Sequence, residues 1–345
     1  MKPSFRTVQL QLAHEWKIAN SKSSHVDEVI IVEMADNDGI VGLGEAPPSA
    51  VYGETPEGVT EFYKRADAGT FSFDDVPGSM ARLEALGPMP SAARCGLNTA
   101  LMDGAAKRAR KALCDFFNLG FRENQHVTSF SIGIDSPEII RKKVLAAANY
   151  PVLKLKAGVA HDRENLAALR MVAPEKPVRV DANEGWKTKE HALEMLEWLA
   201  RDGHIQFVEQ PMPRNASVKD LAWLKERSPL PLFADESCQT VKDIPHCAEC
   251  FHGVNVKLVK AGGVSMAHET LQAARRAGLK TMIGCMIETS VLISAAAHLA
   301  ELADHLDLDG NLLTTNDPYL GVTAGNGMLS FVGAKEKFGL RVTPR

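Results

Sequence analysis

Five apolar stretches of this 345-residue chain each end on one charged residue, in the order lysine, acid, acid, acid, lysine. They are VLKLKAG with Lys156, VRVDANEGW with Asp181, FVEQPMP with Glu209, FADESC with Asp235, and NVKLVKAGG with Lys257. Successive charges lie 22 to 28 residues apart. A strand, a helix and two short loops need about that much chain in an α/β barrel, where roughly 250 residues make eight units. Catalytic groups in such barrels sit at the ends of successive strands. The pattern therefore predicts a divalent cation held between two opposed amines, a site for removing and returning a proton.

The surrounding chain supports a barrel. From about residue 126, short apolar strands alternate with helical patterns: VTSFSIG before a helix at 137–149, VLKLK before 161–173, VRVDAN before 188–201, and QFVEQ before 217–228. LFADE precedes a short helix near 240–249, VNVKL precedes 264–277, TMIGC precedes 289–303, and HLDLD closes the series. Eight strands with intervening helices predict a parallel barrel rather than an open sheet. Ser136-Pro137 and Thr188 supply helix-start signals. Residues 1–122 read as a separate α+β unit, with strands at FRTVQLQL, EVIIVEMA and VGLGEA, a turn at DNDGI, and helices at roughly 56–68 and 91–111. The loops WKIANSKSSHVDE and PPSAVYGETPEG fold, on this reading, over a site made by residues 123–319, and residues 320–345 return to the first unit.

Charge and composition narrow the function. A net charge of −4 leaves no footprint for nucleic acid or an anionic membrane. No stretch approaches the roughly 20 apolar residues of a membrane helix, and the N-terminus lacks a signal-peptide run. The chain reads as cytoplasmic, with a small molecule as partner; a homo-oligomer is compatible with it. The six cysteines read as reduced thiols in a chain this long. His246, Cys247, Cys250 and His252 have zinc-like spacing, but four ligands within seven residues cannot readily wrap one ion, so ordinary helix thiols are expected.

Asp181, Glu209 and Asp235 offer three hard oxygen ligands on consecutive strands, the donor set that magnesium prefers. Asn183, two residues beyond Asp181, shares its strand face and is expected to make an outer or water contact to the ion; Glu236 is expected to point away if its strand persists. Lys154 and Lys156 share a face, and two neighbouring ammonium groups disfavour each other's charge, which lowers a pKa. Lys257 comes four strands later and so lies across the barrel mouth. A carbon acid beside a carboxylate would give an enediolate, with Lys156 and Lys257 taking and returning the proton from opposite faces.

The set K-x-K, D-A-N, E-Q-P, D-E-S and N-x-K-x-x-K-x-G-G resembles the enolase superfamily in its muconate-lactonizing subgroup, over nearly the whole chain. Sites of that superfamily use a Lys or His base with Mg²⁺. The resemblance implies a (β/α)7β TIM-like barrel with an N-terminal α+β capping domain completed by the C-terminal tail. It also implies Lys156 and Lys257 as acid/base pair and Asp181, Glu209 and Asp235 as Mg²⁺ ligands. HLDLDG carries Asp307 and Asp309 in the period-two relation of a strand face. It resembles the D-x-D with which dipeptide epimerases of this subgroup hold the free α-amino group, and MIGCMIETS with Glu288 is similar to theirs. The implied reaction is epimerisation at the C-terminal residue of a dipeptide, L-Ala-D/L-Glu or another, with Lys154, Glu288 and Lys22 as further substrate contacts. Members acting on Ala-Glu carry an arginine in the first capping loop; here that loop offers only Lys22, a poorer planar partner for a carboxylate. The alternatives are N-acylamino-acid racemase or o-succinylbenzoate synthase on the same fold, Schiff-base chemistry at a barrel lysine, and a peptide-binding barrel without turnover.

Overall fold

The computed structural model describes residues 1, 3–19, 23–66 and 71–345. The chain opens with an antiparallel sheet of β1 (Pro3–Trp16), β2 (Ser24–Ala35) and β3 (Val41–Ala46). The DNDGI turn is closed by the Asp36 carboxylate, which accepts from the Asp38 and Ile40 amides at 2.9 Å, as an Asx turn requires. Helices α1 (Pro56–Arg65), α2 (Val76–Glu84) and α3 (Ser91–Arg108) cover this sheet. β3 lies directly on α3: a Cβ on Gly42 or Gly44 would meet a helix carbonyl at 2.1 or 2.0 Å, so only glycine allows the approach. The sequence reading missed α2. Its Pro77 and Gly78 look like breakers, yet proline is tolerated in a first turn, and Asp75 caps the Gly78 amide.

After a short α4 (Leu113–Phe116) and β4 (His126–Val127), eight strands follow. They are β5 (Phe130–Ile132), β6 (Leu153–Lys156), β7 (Val178–Asp181), β8 (Ile205–Glu209), β9 (Leu232–Ala234), β10 (Gly253–Lys257), β11 (Lys280–Gly284) and β12 (His305–Asp307). Every neighbouring pair is parallel, in sequence order. One parallel bridge, Thr128 to Leu306, joins β12 back to the start of β5 and closes the barrel. Between strands run α5 (Pro137–Ala146), α6 (Asp162–Val172), α7 (Lys189–Ala200), α8 (Val218–Arg227), α9 (Ile244–Cys250), a single turn α10 (Leu258–Ala261) leading into α11 (Val264–Arg276), and α12 (Ser290–Ala297). This is the (β/α)7β order. The Thr188 hydroxyl caps α7 as expected, whereas Ser136 makes no side-chain cap bond. VTSFSIG is not one strand: it divides at Thr128, and β4 pairs instead with a short strand, Met328–Ser330, of the C-terminal segment.

The strand interiors explain why charge collects at one rim. Two residues before each rim charge, on the same strand face, stand Lys154, Arg179, Phe207, Phe233 and Asn255, all buried. Phe207 and Phe233 stack at 4.2 Å and floor the barrel. The segment after β12 reaches back to the first unit: the Leu340 amide donates to Asp103 Oδ1 at 2.8 Å, and Arg6 donates to the Tyr319 hydroxyl at 2.9 Å. No helix among the described residues is long and apolar enough to cross a membrane.

Candidate active site

Asp181 and Glu209 are the last residues of β7 and β8, and Asp235 follows β9 directly. One carboxylate oxygen from each lies within 4.8 Å of the others, and all three side chains are buried. The chain turns sharply after the first two: Asn183 and Gln210 adopt left-handed φ of 42° and 35°, a conformation non-glycine residues keep where surrounding structure imposes it. Gln210 braces the third acid, accepting from the Asp235 amide at 3.0 Å and donating to Ser237 Oγ at 2.9 Å.

The donor set fits a hard divalent cation. Asn255 Nδ2 donates to Glu209 Oε1 at 2.8 Å. Glu209 Oε2, although 2.9 Å from Lys154 Nζ, has no partner in hydrogen-bonding direction. A buried carboxylate oxygen left open beside two other acids is what oxygen coordination would satisfy. The protonation balance agrees. Burial raises the Asp181 pKa, but Lys156 and Lys154 overcome it and hold the group down at about 2. Burial and the charge on Asp181 push Glu209 up to about 7. Burial is likewise overcome at Asp235, where Lys257 and Lys260 hold the carboxyl well below its usual range.

A cavity of about 260 Å³ has Asp235 of these acids in its wall; Asp181 and Glu209 do not line it. Lys156 and Lys257 both line it from strands four apart in the closed eight-stranded sheet, and so from opposite sides. Lys156 Nζ lies 2.8 Å from Asp181 Oδ2 and 5.9 Å over the Trp16 ring. Lys257 Nζ lies 2.9 Å from Asp235 Oδ2. Asp307 and Asp309 line a third side. β12 ends at Asp307, so Asp309 is not on the strand, yet both carboxylates face the cavity. Ser129 Oγ donates to Asp307 Oδ1 at 2.7 Å, and the Ser131 amide donates to Asp309 Oδ2 at 2.6 Å. Burial is outweighed by Lys154 at Asp307, whose pKa is lowered; burial and Asp307 push Asp309 up to about 7. The roof is Trp16, Ile18, Ser24 and Asp27 from the first capping loop and its edges, and Pro47 to Tyr52 from the second.

Several expectations change. Lys154 does not stand in the cavity wall: it is fully buried, 3.1 Å from Asp181, 2.9 Å from Glu209 and 2.8 Å from Asp307. Burial favours its neutral form, but those carboxylates win and hold its pKa well above the usual lysine value, so the two-amine argument fails for it. Glu288 does not reach the cavity either; its carboxylate accepts from the Met286 amide at 3.0 Å, and burial together with Glu45 raises its pKa well above the usual range. Glu236 turns in, not away, because β9 ends at Ala234 and strand alternation no longer applies; Asn183 Nδ2 is 3.4 Å from its Oε1. Asn183 itself lines the cavity, and its amide donates to Asp181 Oδ1 at 3.0 Å. Lys22 lies outside the described residues. His252 Nδ1 accepts from the Leu232 amide at 3.0 Å, and Cys247 and Cys250 are buried on α9, an arrangement of helix thiols.

Sequence reasoning missed Lys260, which donates to Asp235 Oδ1 at 2.6 Å, and Asn255. Both stand in N-x-K-x-x-K: Asn255 shares the strand face of Lys257, and Lys260 comes one turn later on α10. Trp16 and Asp27 left no signal, since loop order alone does not say which side chains roof a cavity.

Residues 140–317 match the family model described as Enolase C-terminal domain-like. The L-Ala-D/L-amino acid epimerase of Pedosphaera parvula is 63% identical over 344 residues, covering 99% of each chain. The chain belongs to the enolase superfamily. Among solved structures, the substrate-liganded L-Ala-D/L-Glu epimerase of Bacillus subtilis superposes on this superfamily member with a TM-score of 0.90 at 26% identity, covering 100% of this chain and 99% of the other. The dipeptide epimerase of Enterococcus faecalis, complexed with Mg and L-Leu-L-Tyr, superposes with a TM-score of 0.89 at 27% identity, covering 99% of each.

Proposed function

We propose that this chain is a Mg²⁺-dependent dipeptide epimerase that inverts the α-carbon of the C-terminal residue by a two-lysine 1,1-proton transfer. The observation that carries this reading is the placement of Lys156 and Lys257 on opposite walls of one cavity that Asp235 also lines, each lysine paired with one acid of the Asp181, Glu209 and Asp235 cluster. Asp181, Glu209 and Asp235 would hold the ion, with Asn183 beside them. When bound, a divalent ion supplies positive charge where the substrate carboxylate gains negative charge.

The protein's own groups do the rest. One lysine, as the free amine, takes the α-proton; the electron pair passes into the carboxylate as an enediolate. The opposite lysine, as ammonium, returns a proton to the other face, and the configuration inverts. Lys154 positions Asp181, Glu209 and Asp307. Asp307 and Asp309 would receive the substrate's α-ammonium, a group that neither an N-acylamino acid, whose nitrogen is a neutral amide, nor a succinylbenzoate, which has no nitrogen, possesses. A substrate seated under the roof would displace water, which strengthens each of these charge interactions.

Incubation with Mg²⁺ and L-Ala-L-X dipeptides in D₂O tests this. The expected result is one deuteron gained at the C-terminal α-carbon, with appearance of the L,D isomer. Absence of exchange across the whole set would overturn it. The acyl-substrate alternative separates by D307N and D309N: turnover of free dipeptides is expected to fall at least a hundredfold, whereas an N-acyl racemase would keep its rate.

A further inference from the structure

We propose that Trp16, in the cavity roof, is a positioning residue for Lys156: its indole holds that amine where it reaches the substrate's α-carbon, and it does not serve Lys257. This rests on the epimerase reading above and deepens it, since it makes the two lysines unequal. Lys156 Nζ lies over the Trp16 ring, 5.9 Å from its centre, and 2.8 Å from Asp181 Oδ2. A ring face attracts an ammonium at this range. The ring and the carboxylate together fix the end of a flexible four-carbon stem from two directions.

Three features of the fold aim the indole. β1 takes five residues from Gln11 to Trp16 while β2 takes two from Val26 to Ser24, a break in register that re-aims the side chains beyond it, as bulges do. The Ile134 amide donates to the Lys17 carbonyl at 3.1 Å, which pins the residue after Trp16 to the barrel. Ile132 pairs with Leu155 across β5 and β6, so Gly133 follows beside Lys156. A Cβ on Gly133 would meet the indole at 3.3 Å, tighter than side chains normally pack, so the bare backbone leaves the space that the ring fills.

Lys257, on the opposite wall, has different company. Its Nζ is 2.9 Å from Asp235 Oδ2 and 4.0 Å from Met286 Sδ. Tyr52, the aromatic residue of the second capping loop, has its ring under the Arg214 guanidinium at 5.3 Å, and Arg214 is itself held by Glu184 at 2.8 Å. Of the two cavity lysines, only Lys156 has a ring face over its amine among the described residues. Proton transfer needs reacting atoms about 3–3.5 Å apart, and a misplacement of about 1 Å costs on the order of a hundredfold. Loss of the ring therefore falls on the substrate face that Lys156 serves.

Deuterium wash-in from D₂O, with Mg²⁺ and the L-Ala-L-X and L-Ala-D-X dipeptides, tests this in single-lysine backgrounds. K257A leaves Lys156 as the one amine of the pair, and K156A leaves Lys257. W16L added to K257A is expected to slow wash-in by a factor at least ten times larger than the same change added to K156A. W16F keeps a ring face, and added to K257A it is expected to stay within threefold of K257A alone. Retained wash-in by K156A with W16L shows that the site survives the change. Losses alike in the two backgrounds, or larger beside K156A, would overturn the assignment, because the indole would then serve the substrate or the roof as a whole. So would a loss with W16F as deep as with W16L, or no loss with either. No wash-in by K257A or K156A alone would instead bring down the two-lysine reading, and this role with it.

Discussion

At the residue scale, the two lysines are chemically equivalent but spatially opposed, and this makes them separable. Each touches one acid of the cluster, Lys156 through Asp181 and Lys257 through Asp235. Replacing either by alanine should abolish epimerisation, with a loss of two to four orders of magnitude, the usual worth of a positioned acid or base. It should not abolish all exchange. K257A and K156A should each still wash the α-proton of one dipeptide diastereomer into D₂O, and the two variants should prefer opposite diastereomers. Mass spectrometry of recovered substrate reads this directly; the same preference in both variants would mean a single base. Lys154 belongs to a different class. K154A leaves three buried carboxylates with one cation fewer, and breaking a buried ion cluster costs about 3–5 kcal/mol. The variant should unfold at markedly lower urea concentration, a result that unchanged stability would contradict.

At the element scale, the joint between the capping sheet and the barrel is built on Glu45, at the end of β3. Its carboxylate accepts from the Thr289 amide at 2.9 Å and from the Thr289 hydroxyl and Leu292 amide, at the start of α12. A carboxylate is well placed at a helix N-terminus, but this one is fully buried, and burial pushes its pKa up to about 8 from an ordinary 4.5. The fold therefore binds a proton there that the unfolded chain releases above about pH 4.5. Stability from this group is full below that pH, falls as pH rises, and is lost once pH passes about 8. The neighbouring Glu288 is raised in the same sense. E45Q removes one titrating group, so between pH 5 and 8 its urea-unfolding free energy should fall less steeply than the native protein's, by roughly 1 kcal/mol per pH unit at most. Both proteins are compared with Mg²⁺ present, and identical slopes would refute the assignment.

At the scale of the whole molecule, the acid cluster ties three consecutive strands to one charge-balancing need. Mg²⁺ at a hundred times its dissociation constant should stabilise the protein by about 2.7 kcal/mol. Chelation should lower the thermal midpoint and stop exchange together; a midpoint indifferent to Mg²⁺ would argue against the ion site. What the sequence revealed, and what it hid, divides along the same scale. The barrel was legible because apolar strands and helical patterns alternate at a regular spacing, and that same spacing put Lys156, Asp181, Glu209, Asp235 and Lys257 at one rim, where the structure also finds them. Glu236 turns inward because its strand stops at Ala234, a condition the sequence left open, whereas Glu288 was placed by motif resemblance, which does not show that its carboxylate turns back to the Met286 amide. The fate of Lys154 depends on Asp307, 153 residues away, and no local pattern encodes that. The roof residues Trp16 and Asp27 are set by how one unit sits on the other.

The barrel's seam adds a further consequence. Between β12 and β5 the backbone closure is the Thr128–Leu306 bridge and the Ser129 amide to the Leu306 carbonyl at 3.1 Å; the other bonds across it run through side chains, such as the Leu308 amide to Thr128 Oγ1 at 2.7 Å. The acid pair stands on one side of that thin closure and Ser129 and Ser131 on the other. A molecule whose amine is gripped there acts as a clasp across the gap, so the weakest stitch in the wall is the one that substrate itself would tighten.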